Sequence, residues 1–227
     1  MAELIVPDWP APSRVRAFIT TRSLGDMRKG GEGRARLRSM VPAEPRWLTQ
    51  VHGIEVLDAD AACAAAPEPQ ADAAITRRGG TPCAVLVADC MPVLFANRSG
   101  DAIGVAHAGR RGLAAGVIEA TLEAMALPAS EVLVWLGPAI GARAYEVGAE
   151  VRDDFVARDP PAQAAFLSSR PGHWWLDLYA IARRRLDARG ITQISGGGFC
   201  THREAARFFS WRRERTAARM AAVIWLT

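Results

Sequence analysis

Three side chains suited to metal or nucleophilic chemistry stand where apolar runs of this sequence break. His52 lies in QVHG, Cys90 in ADCMP and His107 in AHAG. Strand ends and turns are where a rigid scaffold presents functional side chains. Two imidazoles and a thiolate form a zinc donor set, and three protein ligands leave a fourth position for water or substrate. A metal held this way acidifies bound water to a pKa of about 7, which supplies a hydroxide nucleophile at neutral pH. The same residues admit two other readings. Cys90 can act as a nucleophile with His107 as its base, hydrolysing an amide or thioester without metal. Alternatively all three are structural, a buried cysteine and two hydrogen-bonded histidines. The long gaps between them, unlike the short loops of a zinc finger, leave these alternatives open.

The remaining histidines and cysteines invite blander readings. Cys83 opens an apolar run and reads as core, while Cys63 sits in an alanine-rich loop. His173 beside Trp174 and Trp175 reads as a loop contact. Cys200 and His202 in CTH would share one strand face, a weaker metal pair.

The elements that must carry these residues alternate between strands and helices. RVRAFITTR reads as a strand, followed by the polar, glycine-rich SLGDMRKGGEGR loop and a short RARLRSM helix. WLTQVHG and IEVLDAD read as two strands turning at Gly53, which would put Gln50 on the face of His52. CAVLVAD is a buried strand, and PVLFANRSGDAIGVAHAG is strand, turn, strand. GLAAGVIEATLEAM has helical spacing, with Leu113, Val117, Ile118, Ala120 and Leu122 on one face. EVLVWLGPAIG is a further buried strand. VGAEVRDDFVAR and WLDLYAIARRRLDARG read as amphipathic helices, and ITQISGGGFCT as a strand entering a turn. FFSWRR and RMAAVIWL read as two strands across a turn. Short hairpin links without a clean βαβ repeat predict an α+β fold with mixed sheets rather than a doubly wound parallel sheet. No linker divides residues 1–227, so a single domain is expected.

Composition bounds the class. The chain has 227 residues, 50% hydrophobic and 23% charged, which excludes a disordered chain, a collagen-like repeat and a coiled coil. No apolar run reaches the roughly 18 residues of a bilayer span. MAELIVPDWPAPSRV has an acidic residue and prolines where a signal peptide needs a basic start and an apolar stretch, so a cytoplasmic location is expected. Net charge is +4, and Lys29 is the only lysine. Acidic residues alternate with the arginines, so no continuous basic face for nucleic acid is expected.

WLTQVHG, ADAAITRRGGTPCAVLVADCMPVLF, GVAHAGRRGLAAGVIEATLEAM, WLGPAIGARAYEVG and CTHREAARFFSWRRERTAARMAAVIWL together resemble the YfiH-like laccase-domain family, in the same order and over nearly the whole chain. The resemblance implies His52, Cys90 and His107 as ligands of Zn2+, with Cu2+ the alternative ion. It implies an α+β fold of layered mixed β-sheets flanked by helices, similar to bacterial toxin deamidases with a Cys–His pair. It also implies phosphorolysis of adenosine, inosine and methylthioadenosine, with adenosine deamination as a further activity. A purine nucleoside and phosphate are then the partners of a monomer or homodimer, with no nucleic acid or membrane. Phosphate needs a clamp, for which arginine is suited. Arg111 holds the arginine position of the family's HAGWRG motif and ranks first. Arg34, Arg212 and Arg213 also match family arginines, and Gln50 is placed to touch substrate or water. Asp89 is expected to make structural hydrogen bonds, and Glu146 to open a helix.

Two departures qualify the match. TTRSLGDMRKGGEGRARLR is shorter than the family's N-terminal segment by roughly twenty residues, and Arg110 stands where the family has tryptophan. The shortening favours an alternative, a non-catalytic metal-binding relative. A copper polyphenol oxidase is disfavoured, because a multicopper site needs far more ligands than four histidines supply.

Overall fold

A computed structural model describes residues 3–61 and 68–227. Cys63 lies outside the described residues. The first half forms β1 (Leu4–Ile5), β2 (Val15–Thr20), α1 (Glu32–Arg38), β3 (Val56–Asp58), β4 (Ala73–Thr76) and β5 (Cys83–Val87). The central elements are β6 (Met91–Asn97), β7 (Ile103–Ala108), α2 (Arg110–Ala115), α3 (Val117–Met125) and β8 (Val132–Leu136). There follow β9 (Glu146–Gly148), α4 (Ala149–Arg158), β10 (Phe166–Arg170), β11 (His173–Leu176) and α5 (Leu178–Ala188). The chain ends through β12 (Gln193–Gly196), α6 (Trp211–Glu214) and β13 (Met220–Leu226).

Three sheets result, in the orders β1-β2-β13-β5, β12-β8-β6-β7-β4-β3 and β10-β11-β9. Two pairings are parallel, β12 with β8 and β3 with β4; the other strand pairs are antiparallel. The fold is therefore α+β, as the hairpin spacing predicts, with a mixed six-stranded sheet and two antiparallel ones.

The apolar runs explain the layering. In β6, Val93 and Phe95 turn to one side, with α3, α4 and α5 supplying Ile118, Phe155 and Ile181. Leu94 and Ala96 turn to the other, against Val85 of β5 and Ile224 of β13. A strand covered on both faces has no polar side, which is why PVLFAN shows no alternation. Each fully buried Leu or Phe contributes about 1.5–3 kcal/mol. Phe18 and Val223 on the outer face of the four-stranded sheet pack with Leu37 of α1, Met27 and Trp47. No helix among the described residues is long and apolar enough to cross a membrane.

Four local expectations change. WLTQVHG forms only an isolated bridge, Thr49 to Gln70, with Arg46 just before it bridging Cys83, because the N–H groups of residues 51–53 bond a side chain instead of a neighbouring strand. GLAAGVIEATLEAM is two helices, not one: Gly116 adopts φ +106° and separates them. Thr121 and Met125 are buried in place of the expected Ala120 and Leu122. FFSWRR gives a short helix in which the Ser210 hydroxyl accepts from the Arg213 N–H, and β13 pairs with β2 and β5.

Candidate metal centre and arginine-lined cavity

Each of the three central residues is delivered by a different element. Cys90 lies in the short link that carries the chain from β5 of the four-stranded sheet to β6 of the six-stranded one. His107 is on β7 and only 4% exposed. His52 lies in the segment before β3, at φ +64°. Asp89, one residue before Cys90, has φ +86°. Non-glycine residues in this conformation are uncommon and cluster at functional sites, where the surrounding structure holds them. Asp89 is held by Thr201 Oγ1 at 2.6 Å and the Arg212 N–H at 2.6 Å, the structural hydrogen bonding expected of it.

One ligand atom from each of His52, Cys90 and His107 lies within 4.8 Å of the others. His52 Nε2 is 3.8 Å from Cys90 Sγ, and the two imidazoles meet edge to face at 4.7 Å between centroids. Tetrahedral zinc with bonds of about 2.0–2.3 Å would separate its donors by roughly 3.3–3.6 Å. The observed spacing needs only a small contraction, so the residues fit the metal. Gly109 makes the approach feasible: a Cβ there would lie 2.7 Å from Cys90 Sγ.

Asp72 organises the site and was not singled out from the sequence. Its Oδ1 accepts from His52 N–H at 3.0 Å and pairs with His107 Nδ1 at 2.8 Å. Its Oδ2 accepts from Val51 N–H at 3.0 Å and Gly53 N–H at 2.7 Å. One buried carboxylate thus shapes the His52 loop and orients His107, leaving Nε2 of His107 for a metal, an arrangement common around metal-bound histidines. Its only sequence signal is an acidic residue heading the apolar ADAAIT run, since a buried carboxylate requires partners. Burial favours the neutral acid, but His107 and the backbone donors outweigh it and hold Asp72 below the ordinary range. Burial likewise opposes the Cys90 thiolate, yet His107 and His52 bring the thiol down to about 6. Against the effect of burial, the Cys90 charge and the Asp72 bond raise His107.

The three residues open onto a cavity of about 570 Å³ whose walls include Tyr145, Trp211 and six arginines, 28, 110, 111, 212, 215 and 219. Arg111 is exposed and Arg110 half-buried; Arg110 faces this cavity rather than solvent alone. Arg212 lies over the Tyr145 ring at 4.9 Å and donates to the Glu146 carbonyl at 3.1 Å.

Other expected residues fall elsewhere or are already engaged. Arg34 is not in the cavity wall: it pairs with Glu68 at 2.8 Å and covers the Trp47 ring at 4.1 Å. Arg213 donates to the carbonyls of Thr201, His202 and Phe208. Gln50 borders the cavity, but its amide bonds both the N–H and the carbonyl of Leu86, standing in for a neighbouring strand. Glu146 is in β9, not a first helical turn, and binds Arg170 and Ser169. His173 is in β11. Cys200 lies outside a strand and accepts from the Gly141 N–H at 3.3 Å, and no metal group forms with His202 among the described residues. Cys83 is fully buried in the core.

Fold and site together define a class: proteins of layered mixed sheets carrying a histidine–cysteine–histidine group, oriented by a carboxylate, at the base of a basic cavity. The chain belongs to the multi-copper polyphenol oxidoreductase laccase family, which matches residues 21–227. It is 47% identical to a purine nucleoside phosphorylase of Pseudomonas aeruginosa, covering 98% of both chains. It is 44% identical to the purine nucleoside phosphorylase YfiH of Escherichia coli, covering both chains completely. The crystal structure of Neisseria meningitidis protein NMB0706 superposes with a TM-score of 0.93 at 40% identity, covering 98% of both chains. YlmD from Geobacillus stearothermophilus gives a TM-score of 0.84 at 30% identity, over 96% of this chain and 93% of that one. The Pseudomonas alignment spans 240 positions against the 227 residues here, so that relative carries residues this chain lacks.

Proposed function

We propose that this protein is a zinc-dependent purine nucleoside phosphorylase of adenosine, inosine and methylthioadenosine, with adenosine deamination as a secondary activity. The observation that carries the reading is the His52–Cys90–His107 group opening onto an arginine-lined cavity, joined to relatives named for this activity. Two imidazoles, a thiolate and an accessible fourth position are a zinc donor set, and bound there the ion would supply Lewis-acid chemistry at the cavity wall. Arg110, Arg111 and Arg212 are the phosphate clamp, since guanidinium forks match phosphate oxygens. Tyr145 offers an aromatic wall for the purine. In the reaction a phosphate oxygen bonds to C1′ of the ribose as the bond from C1′ to the purine nitrogen breaks, and the purine leaves with a proton. The chain's residues bind, align the phosphate beneath the sugar and balance its charge.

The test is product analysis of metal-quantified protein incubated with adenosine, with and without phosphate. Free adenine formed only with phosphate is the expected result, and inosine in both tubes marks deamination. Stoichiometric zinc with neither product would overturn the reading.

A second reading draws on the line Asp72–His107–Cys90, which also has the makeup of a nucleophile, base and orienting carboxylate. It makes the metal-free protein a hydrolase of an amide or thioester. Zinc that blocks alkylation of Cys90, with no acyl-enzyme trapped, counts against it.

A further inference from the structure

One inorganic phosphate beside a neutral nucleoside does not account for six cavity arginines. Asp89 is the one carboxylate among the described residues lining the cavity, and Thr201 and the Arg212 backbone already engage it. Arg110 and Arg212 lie beside Tyr145, and Arg111 follows Arg110 in the same wall. Arg215 and Arg219 lie at Trp211, and Arg28 adjoins Arg219.

This second set is built by the fold. Trp211 is 45% exposed, and the guanidinium groups of Arg215 and Arg219 lie 6.0 and 5.8 Å from its ring centroid. Arg28 is brought beside Arg219 by backbone contacts: Met27 N–H donates to the Arg219 carbonyl at 3.0 Å, and Arg219 N–H donates to Asp26 Oδ1 at 3.0 Å. Asp26 also holds the Arg28 guanidinium at 2.7 Å, while the Arg219 and Arg215 guanidinium groups make no ion pair with it. Arg219 Nη1 is fixed by the carbonyls of Thr216, Ala217 and Ala218. Burial holds Arg219 below its ordinary pKa; the Cys90 charge opposes this and the neighbouring Arg28 charge adds to it. Like charges converging on a cavity wall are stabilised by a bound anion.

We infer that Arg28, Arg215 and Arg219 form a second anion subsite around Trp211, which binds a phosphoryl group carried by the nucleoside, so that the preferred substrates are purine nucleoside monophosphates. Binding at this subsite is independent of the reaction; turnover of such a substrate rests on the proposed phosphorolysis. In that turnover an oxygen of inorganic phosphate bonds to C1′ while the bond from C1′ to the purine nitrogen breaks. The bond's electrons leave on the purine, which takes up a proton, and the sugar product carries two phosphates. A cavity of about 570 Å³ falls within the range of roughly 300–1,000 Å³ that holds ligands of this size.

The test compares AMP with adenosine, by calorimetric binding without phosphate and by steady-state phosphorolysis with it. The variants are Arg28→Gln, Arg215→Asn and both together; asparagine tolerates the φ of +54° at position 215. Wild type should bind AMP at least tenfold more tightly than adenosine. The double variant should lose that preference, keep adenosine affinity within twofold and leave the KM for phosphate unchanged. Arg215→Lys, which keeps the charge, should restore part of the preference. Equal wild-type affinities for AMP and adenosine would overturn the inference. So would a double variant that retains the AMP preference while its KM for phosphate rises, which would assign these arginines to the co-substrate. Arginine-dependent AMP binding without cleavage of either compound would support the subsite and overturn the phosphorylase reading.

Discussion

Replacing Asp72 by asparagine exchanges one oxygen for an NH2 group and should disable the metal centre. The carboxylate faces three backbone N–H groups and the His107 ring nitrogen. Asparagine offers one acceptor oxygen and one donor nitrogen. If the new NH2 replaces Oδ2, it faces the N–H groups of Val51 and Gly53, and two donors lose their acceptor. Each such loss costs about 1–3 kcal/mol, or about 2–6 kcal/mol together. If it replaces Oδ1, His52 N–H loses its acceptor and His107 must accept at Nδ1. The proton then moves to Nε2 of His107, the nitrogen that would hold the metal. Either way the affinity for zinc should fall by about 10- to 100-fold, the usual effect of removing such an orienting partner, equivalent to about 1.4–2.7 kcal/mol. Zinc affinity is measured by competition with a chromophoric chelator, and thermal unfolding of the metal-free protein reports the backbone cost. For a chain of this size a midpoint drop of about 5–20 °C is expected. A variant with wild-type zinc affinity and unchanged melting would refute the assignment of Asp72 as the positioning residue.

Gly109→Ala keeps a permitted backbone, since Gly109 has φ −77°, yet its methyl would meet Cys90 Sγ at 2.7 Å and His52 Cδ2 at 3.1 Å. The variant should fold and lose zinc on dialysis at least tenfold faster than wild type; stoichiometric retention at the wild-type rate would contradict the packing argument. Metal-free protein should be alkylated by iodoacetamide at Cys90 with a midpoint near pH 6, because the lowered pKa leaves the thiolate present above that value and loses it as pH falls below. An unperturbed thiol gives a midpoint near 8.5. Added zinc should protect Cys90, and equal rates with and without zinc would argue against its being a ligand.

The apolar runs of β5, β6, β7 and β8 are legible in the sequence because a strand buried on both faces cannot carry polar residues. The α+β class follows from their short connections, and the amphipathic spacing of α4 and α5 from helical periodicity. His52, Cys90 and His107 are legible as candidates, since each is a ligating residue at the edge of an apolar run. Their convergence is not, because it depends on how β5 and β7 are joined across two sheets. The sequence also cannot distinguish Arg110, in the cavity wall, from Arg34, stacked on Trp47 and paired with Glu68. Both are arginines among polar neighbours, and only packing decides which way a long side chain turns. WLTQVHG has strand composition, yet the Asp72 carboxylate 19 to 21 residues away captures its N–H groups and turns it into a loop. Local residue types thus determined the kinds of element and the available chemistry. The tertiary structure decided which groups meet, because a buried carboxylate must satisfy its hydrogen bonds with whatever donors the fold brings to it.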